Sequence, residues 1–394
     1  MKKNTALIPT QPDLVVYTPA IPKDHKEWLY YQEAGQKIVK RSDVLQMISN
    51  SSFNICIAGT HGKTTISTMT AHLLRHSGFG CNAFLGGISG NYNTNFWSHQ
   101  RNVCVIEADE YDRSFLKLSP DIAIISAMDA DHLDIYGTAE NVEQAFIDFA
   151  GKVREDGKLI VKHGLKRSAD LQSEKYISYS REDHSADVFT DNLKLDDGSY
   201  IFDICLQGHW IRNLRLNMGG LHNVENITAA ITAAWLVGIE DEKIKAAVDA
   251  FRGVKRRFES VYKSDQRVLI DDYAHHPEEL RALLTSAKGL FAGRKMLLIF
   301  QPHLYSRTRD FADGFAEVLG IADEVVLLPI YPARELPVEG VNSEMLIERM
   351  REMKKTVLQK TEVLDYIDRW IDENEKDINY NGWCRRYRQI AGIS

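Results

Sequence analysis

Apolar and polar positions alternate along this chain in blocks, not residue by residue. Largely apolar runs at Phe53–Ala58, Val103–Ala108, Ile122–Ala127 and Leu159–Lys162 are separated by stretches with helical spacing. Short continuous apolar runs read as strands buried on both faces, so this part of the chain predicts a parallel sheet covered by helices. The helices fall at Thr64–His76, with Met69, Leu73 and Leu74 on one face, and at Ala139–Ala150, His222–Val237 and Asp241–Phe251. Residues 176–217 break the rhythm with short β-like runs and glycine turns, which predict an antiparallel flap or edge. A further alternating block follows. It holds a strand Val268–Asp272, a helix from Pro277, a strand Met296–Phe300, a helix Arg309–Leu319 and a strand Glu324–Pro329.

The first fifty residues read differently. Asp13–Tyr17 is a strand, Thr18–Pro22 a turn, Asp24–Gly35 a helix ended by glycine, and Lys37–Lys40 a short strand. Ser42 is expected to cap a helix running to Ser49. Two strands are too few for an independent sheet. The expected division is therefore an incomplete segment 1–50, a central α/β domain 51–254 and a C-terminal domain 255–394.

Composition narrows the partners. The net charge of −7 disfavours nucleic acid and anionic membranes as ligands. Cys56, Cys81, Cys104, Cys205 and Cys384 are odd in number and unpaired in spacing, which predicts reduced structural thiols in a cytoplasmic protein and no zinc site. Neither a signal peptide nor an apolar run near membrane-spanning length is expected. Oligomeric state leaves no mark in the sequence.

The chemistry concentrates at Gly59-Thr60-His61-Gly62-Lys63-Thr64-Thr65, between the strand Phe53–Ala58 and the next helix. A strand, a glycine turn and a helix in that order build an anion cradle. Backbone N–H groups and the helix N-terminus face the phosphates, a lysine adds a full charge, and a threonine hydroxyl suits Mg²⁺. The spacing differs from the common phosphate loop, because Ile57 stands where that pattern has its first glycine.

Other polar clusters end successive strands, where open α/β sheets bind ligands. Glu107-Ala108-Asp109-Glu110 is either a Mg²⁺-binding loop or a solvated acidic one. Asp129-Ala130-Asp131-His132-Leu133-Asp134 offers a second metal ligand in His132 or is a surface turn. His222, Asn223 and Asn226 open an alanine-rich helix, where the asparagines either read an adenine edge or cap. Lys255-Arg256-Arg257 concentrates positive charge, and Asp272-Tyr273-Ala274-His275-His276-Pro277 and Gln301-Pro302-His303-Leu304-Tyr305-Ser306-Arg307 end two later strands. Arg307 is a candidate for binding an amino-acid carboxylate, because guanidinium binds carboxylate bidentately.

Taken together these motifs resemble the Mur ligase family, from about Asp13 to Glu339. The resemblance implies an α/β architecture with a central phosphate-loop-type parallel sheet domain and a C-terminal Rossmann-like domain. The N-terminal UDP-binding domain is represented only by residues 1–50. It also implies a reaction in peptidoglycan precursor synthesis. ATP phosphorylates the lactyl carboxylate of UDP-N-acetylmuramate, and the amine of L-alanine attacks the acyl phosphate. By the same resemblance Gly59–Thr65 hold the nucleotide phosphates with Lys63 at the β and γ groups. Thr64, Glu107 and His132 bind Mg²⁺. His222, Asn223 and Asn226 lie at the adenine side, Arg257 and Asp272 reach ATP from the third domain, and Tyr273, His275 and Arg307 lie at the alanine pocket. Lys63, Glu107, His132 and Arg257 are the implied catalytic set.

Three departures from the family pattern bear on activity. The glycine-rich UDP fingerprint is absent from residues 1–50. Ala145–Asp148 holds no lysine where some relatives carry a carbamylated one. The glycine-rich C-terminal motif is replaced by Asn381-Gly382-Trp383-Cys384-Arg385-Arg386-Tyr387-Arg388. One set of codons for those eight residues, read one base later, gives Met-Ala-Gly-Ala-Gly-Asp-Ile, so a frameshift is expected there. Two alternatives remain open at this point: a truncated chain that binds ATP but ligates nothing, and a related ligase that adds a recycled peptide to the same sugar nucleotide.

Overall fold

The computed structural model describes residues 8–374 apart from 19–20, 23, 130–132, 172, 197, 265 and 334, and gives only the backbone of 133–134. His132 and residues 381–388 thus lie outside the described residues. The chain divides into two compact units, Met1–Asp272 and Tyr273–Ser394.

The first unit opens with β1 (Val15–Tyr17), α1 (Lys26–Glu33), β2 (Ile38–Lys40) and α2 (Arg41–Asn50). Strands β1 and β2 pair in parallel as a separate two-stranded sheet. Helix α2 begins one residue before the expected cap. Asp43 closes its first turn by accepting the Lys40 N–H at 3.0 Å, so Ser42 is inside the helix.

The main body runs through β3 (Phe53–Ala58), α3 (Lys63–His76), β4 (Asn82–Phe84), β5 (Phe96–Trp97), β6 (Val103–Glu107) and β7 (Ile122–Ile125). It continues with α4 (Leu133–Tyr136), α5 (Ala139–Ala150), β8 (Lys158–Lys162), β9 (Tyr176–Ser180), β10 (Val188–Asp196), β11 (Ser199–Leu206) and β12 (His209–Leu216). Helices α6 (Leu221–Leu236) and α7 (Asp241–Asp249) and the strands β13 (Glu259–Lys263) and β14 (Val268–Asp271) complete the unit. Among the described residues ten strands form one sheet in the order β12-β11-β10-β9-β8-β7-β3-β6-β4-β5. Its middle is parallel, and β10 to β12 form the antiparallel edge expected of residues 176–217. Strand β3 lies between β6 and β7, so the loops that leave all three strands emerge side by side.

Both faces of β3 are covered, as its unbroken apolar run requires. Cys56 and Ala58 enter a core with Phe115, Phe146 and Phe149, while the alternate residues Ile55 and Ile57 are fully buried as well. Helix α3 buries the expected Met69, Leu73 and Leu74, but also Ser67, Thr68, Thr70 and His72. Its threonines can be buried because they bond back along the helix. The Thr68 hydroxyl donates to Thr64 O at 2.7 Å and that of Thr70 to Ile66 O at 2.8 Å. The four described cysteines are buried and free.

The strand expected at Val268–Asp272 forms as Val268–Asp271 and pairs antiparallel with β13, a strand whose exposed and charged residues hide it in the sequence. The second unit contains α8 (Pro277–Leu290), β15 (Leu297–Phe300), α9 (Tyr305–Asp310), α10 (Ala312–Leu319), β16 (Glu324–Leu327), α11 (Ser343–Arg349), β17 (Lys354–Val357) and α12 (Val363–Asn374). Strands β15, β16 and β17 form a parallel sheet in that order. Leu298 and Phe300 face a core with Leu280, Phe315 and Leu346, while Leu297 and Ile299 pack against Val363 and Ile371 of α12. Among the described residues no helix is long and apolar enough to cross a membrane.

Candidate functional site

In the first unit the site grows from the turn between β3 and α3. Gly59 has φ +140° and Gly62 φ +83°, conformations that side-chain-bearing residues rarely adopt. Space forbids a side chain there too. A Cβ on Gly59 would sit 2.2 Å from Ser126 Oγ, and one on Gly62 would sit 2.9 Å from Asn226 Oδ1. The loop is therefore pressed against the exit of β7 on one side and the first turns of α6 on the other. Thr60 N donates to Ala127 O at 3.2 Å, the Asp129 N–H donates to Thr60 Oγ1 at 3.2 Å, and the Ser126 hydroxyl donates to His61 O. His61 and Asp129 approach to 3.8 Å at the surface.

Five side chains meet at the start of α3: Lys63, Thr64, Ser67, Glu107 and Glu110. The Lys63 ammonium donates to Gly59 O at 2.7 Å and to Glu110 Oε1 at 2.7 Å. The Thr64 hydroxyl donates to Glu107 Oε1 at 2.9 Å. Ser67, one helical turn on, donates to Glu107 Oε2 at 3.3 Å, and the Gly86 N–H donates to the same oxygen at 2.7 Å. Glu110 is 1% exposed and its Oε2 is buried without a partner. Burial pushes its carboxyl up, against the downward pull of Lys63. Thr65 is buried at the loop's end.

Thr64 and Glu107 present hydroxyl and carboxylate oxygens, the hard donors that Mg²⁺ takes, so these two residues fit that ion. Among the described residues no three His, Cys, Asp or Glu side chains cluster as a metal site. A cavity of about 240 Å³ opens beside Glu107, lined also by Thr18, Arg41, Ser42, Asp109 and Tyr111.

The α6 residues come to the same loop. The Asn223 amide donates to Gly219 O at 2.6 Å and that of Asn226 to Asn223 Oδ1 at 3.0 Å, which sets Asn226 against Gly62. His222 is exposed at the helix start. Arg257 lies exposed on a turn tied to the segment after β4, since Lys255 N donates to Ile88 O at 2.9 Å. Asp272 accepts the Phe258 N–H at 2.6 Å. Arg257 and Asp272 both fall in the first compact unit.

The second unit holds the remaining candidates. The His275 ring contacts Tyr273 O at 2.8 Å through Nδ1, and Glu279 accepts the His275 N–H at 2.9 Å. His276 is the N-cap of α8 with Pro277 behind it, which gives this histidine a local structural duty. Beyond β15 the chain bends at Leu304, with φ +71°, and enters α9. Arg307 Nη1 and His303 Nδ1 are buried there without hydrogen-bond partners. His303 stacks on Tyr331 at 5.6 Å and meets the His275 ring edge-on at 6.1 Å. Burial and the charge of Arg307 hold His303 below its usual range. A cavity of about 440 Å³ in this unit is lined by Gln301, Tyr331, Gln359 and Lys360 among others.

Ser67 and Ser126 are site residues outside the clusters that the sequence picked out, while Glu110 and His303 lay inside those clusters without a role of their own. Ser67 had a signal, because it lies three residues after Thr64 on the same helix face.

Comparison with known proteins gives a consistent result. The chain matches the Mur ligase middle domain over residues 57–234 and the Mur ligase glutamate ligase domain over residues 256–378. It is 44% identical over 365 residues to a UDP-N-acetylmuramate–L-alanine ligase of Flavobacterium johnsoniae, covering 92% of this chain and 80% of that one. A Parabacteroides distasonis enzyme of the same name is 48% identical over 357 residues, covering 90% of this chain and 77% of its own length. In structure the chain resembles a UDP-N-acetylmuramate–alanine ligase from Thermotoga maritima, with a TM-score of 0.77 and 27% identity over 92% of this chain and 80% of the other.

Proposed function

This chain belongs to the Mur ligase family, an ATP-dependent ligase fold, and we propose that it joins L-alanine to the lactyl carboxylate of UDP-N-acetylmuramate in the synthesis of peptidoglycan precursors. The observation that supports this from geometry is the pairing of Thr64 with Glu107 beside Lys63 on a loop whose two glycines have positive φ and would meet a neighbour if given a Cβ. ATP phosphorylates the carboxylate, and the alanine amine displaces phosphate. Such chemistry asks the protein for alignment and charge neutralisation, not for a nucleophile.

The residue roles follow. Gly59 to Thr65 wrap the phosphates, with Lys63 as their point charge. Thr64 and Glu107 hold Mg²⁺, with His132 as a further ligand, and the ion when bound neutralises phosphate charge. His222, Asn223 and Asn226 border the adenine, and Arg257 and Asp272 also serve the nucleotide. The cavity beside Glu107 admits the lactyl carboxylate. Tyr273, His275 and Arg307 receive alanine, with the spare Arg307 donor available for its carboxylate. In domain terms residues 1–50 serve the UDP moiety, 51–254 ATP, and 255–394 the amino acid. The nucleotide substrates put the reaction in the cytoplasm.

The test is amide formation from UDP-N-acetylmuramate, L-alanine and ATP with Mg²⁺, followed by ADP release and by mass of the product. A product heavier by one alanyl residue, formed only with all three substrates, is expected. Hydrolysis of ATP that ignores alanine would refute the assignment.

A further inference from the structure

We infer that Glu110 is a positioning residue for Lys63, seating its ammonium at the mouth of the glycine loop and setting how tightly that cation is shared with a phosphate. The inference rests on the reading of Lys63 as the phosphate lysine. Two carboxylates that lie three residues apart divide their work. Glu107 faces the Thr64 hydroxyl, and Glu110 faces Lys63 at 2.7 Å.

Lys63 and Glu110 are 14% and 1% exposed at their side chains, so the pair is held away from water. An ammonium has three donors. Gly59 O and Glu110 Oε1 take two of them, which leaves one for a phosphate oxygen. Stripping one partner from a buried ion pair is far more costly than losing one hydrogen bond, so an arriving phosphate joins the pair and does not break it. The backbone pins Glu110 in place. Its carbonyl accepts from the Tyr136 hydroxyl at 2.7 Å and from Arg113 N at 2.9 Å. Directly after it Asp112 and Arg113 adopt φ +59° and +54°, a bend that two non-glycine residues hold under strain.

Glu110→Gln keeps the shape and an acceptor but removes the charge. Lys63 then offers its full charge to phosphate while losing its seat. The experiment is titration of ADP with Mg²⁺ into the wild-type chain and E110Q by calorimetry, beside kcat for amide formation. Tighter ADP binding by about three- to tenfold, together with a kcat lower by about tenfold or more, is expected. A Kd and kcat that are both unchanged, or that worsen together, overturn the inference. Failure of the wild-type chain to bind ADP would instead sink the reading of Lys63 itself. Trace acetylation of the wild-type chain guards against a variant that does not fold. Lys63 should react more slowly than Lys166, which is 71% exposed, and equal rates would show that no seat exists.

Discussion

Lys63 and Arg307 are both cations just beyond the end of a parallel strand, in β3–α3 and β15–α9, yet their surroundings are opposite. Lys63 is paired with a buried carboxylate and a carbonyl, and its neighbour Thr64 is paired with Glu107. Arg307 keeps a buried nitrogen without a partner, and so does His303, two residues before α9 begins. A nucleotide carries several charges and can compete for a group already engaged. An amino acid brings one carboxylate and gains most from a donor that nothing else has taken. The first loop is thus part of the fold's own ion pairing, whereas the second holds binding capacity in reserve.

Two substitutions test that contrast directly, and an acid titration tests the burial of the helix that carries Lys63. The largest effect is expected for Lys63→Ala, which removes the cation proposed to meet the phosphates and strands Glu110. Breaking a buried pair costs about 3–5 kcal/mol, so both ATP binding and the denaturation midpoint should fall. ATP affinity unchanged by calorimetry would break the comparison on the first side.

Acid should come next, through α3. His72 is fully buried, its ring bonded to Ala247 O at 2.8 Å and to the Tyr92 hydroxyl at 3.1 Å, and burial lowers its pKa from 6.5 to about 4. The folded state holds this ring neutral while the unfolded chain protonates it below 6.5. Stability is therefore undiminished above pH 6.5 and is lost as pH falls toward 4, at about 1.4 kcal/mol per unit and ~3 kcal/mol in all. Urea midpoints taken across that range measure it, and a flat profile would contradict the neutral, buried ring.

Arg307→Ala should be smaller and different in kind. If Arg307 binds the alanine carboxylate as proposed, loss of that charged hydrogen bond raises KM for alanine by about 10- to 150-fold, or about 1.5–3 kcal/mol. The thermal midpoint should hold, because a donor without a partner contributes little to the fold. A fall in stability as large as that of Lys63→Ala would erase the distinction between the two loops.

What could be read from the sequence follows the range of the interactions involved. The glycine loop was legible because its requirements are local: two backbone conformations, a lysine and a hydroxyl at fixed spacing. The parallel sheet was legible because residues such as Ile55 to Ala58 and Ile122 to Ile125 are apolar on both faces. The pairing of Glu110 with Lys63 was not, since it joins residues 47 positions apart, one opening α3 and the other beyond β6. The burial of α3 on every face from Thr65 to Leu74 was hidden by Thr68 and Thr70, whose polar groups are satisfied within the helix. Strand β13 was hidden because Glu259 and Lys263 sit in a partly exposed hairpin that has no clean alternation.

The place of β3 in the sheet has a consequence for the chain while it is being made. Ile55 pairs with Val105 on one side and with Ile122 on the other. The residues that brace the glycine loop, Ser126, Ala127 and Asp129, follow β7. A ribosome that has released Gly59–Thr65 from its exit tunnel has therefore delivered the motif without the cradle. The carboxylates of β6 arrive later and the floor of the loop later still. Until β7 docks, the nascent segment is an apolar strand with both edges bare, the kind of surface that chaperones cover. A nucleotide can act on folding only after that moment, as a ligand that rewards a sheet already closed around β3.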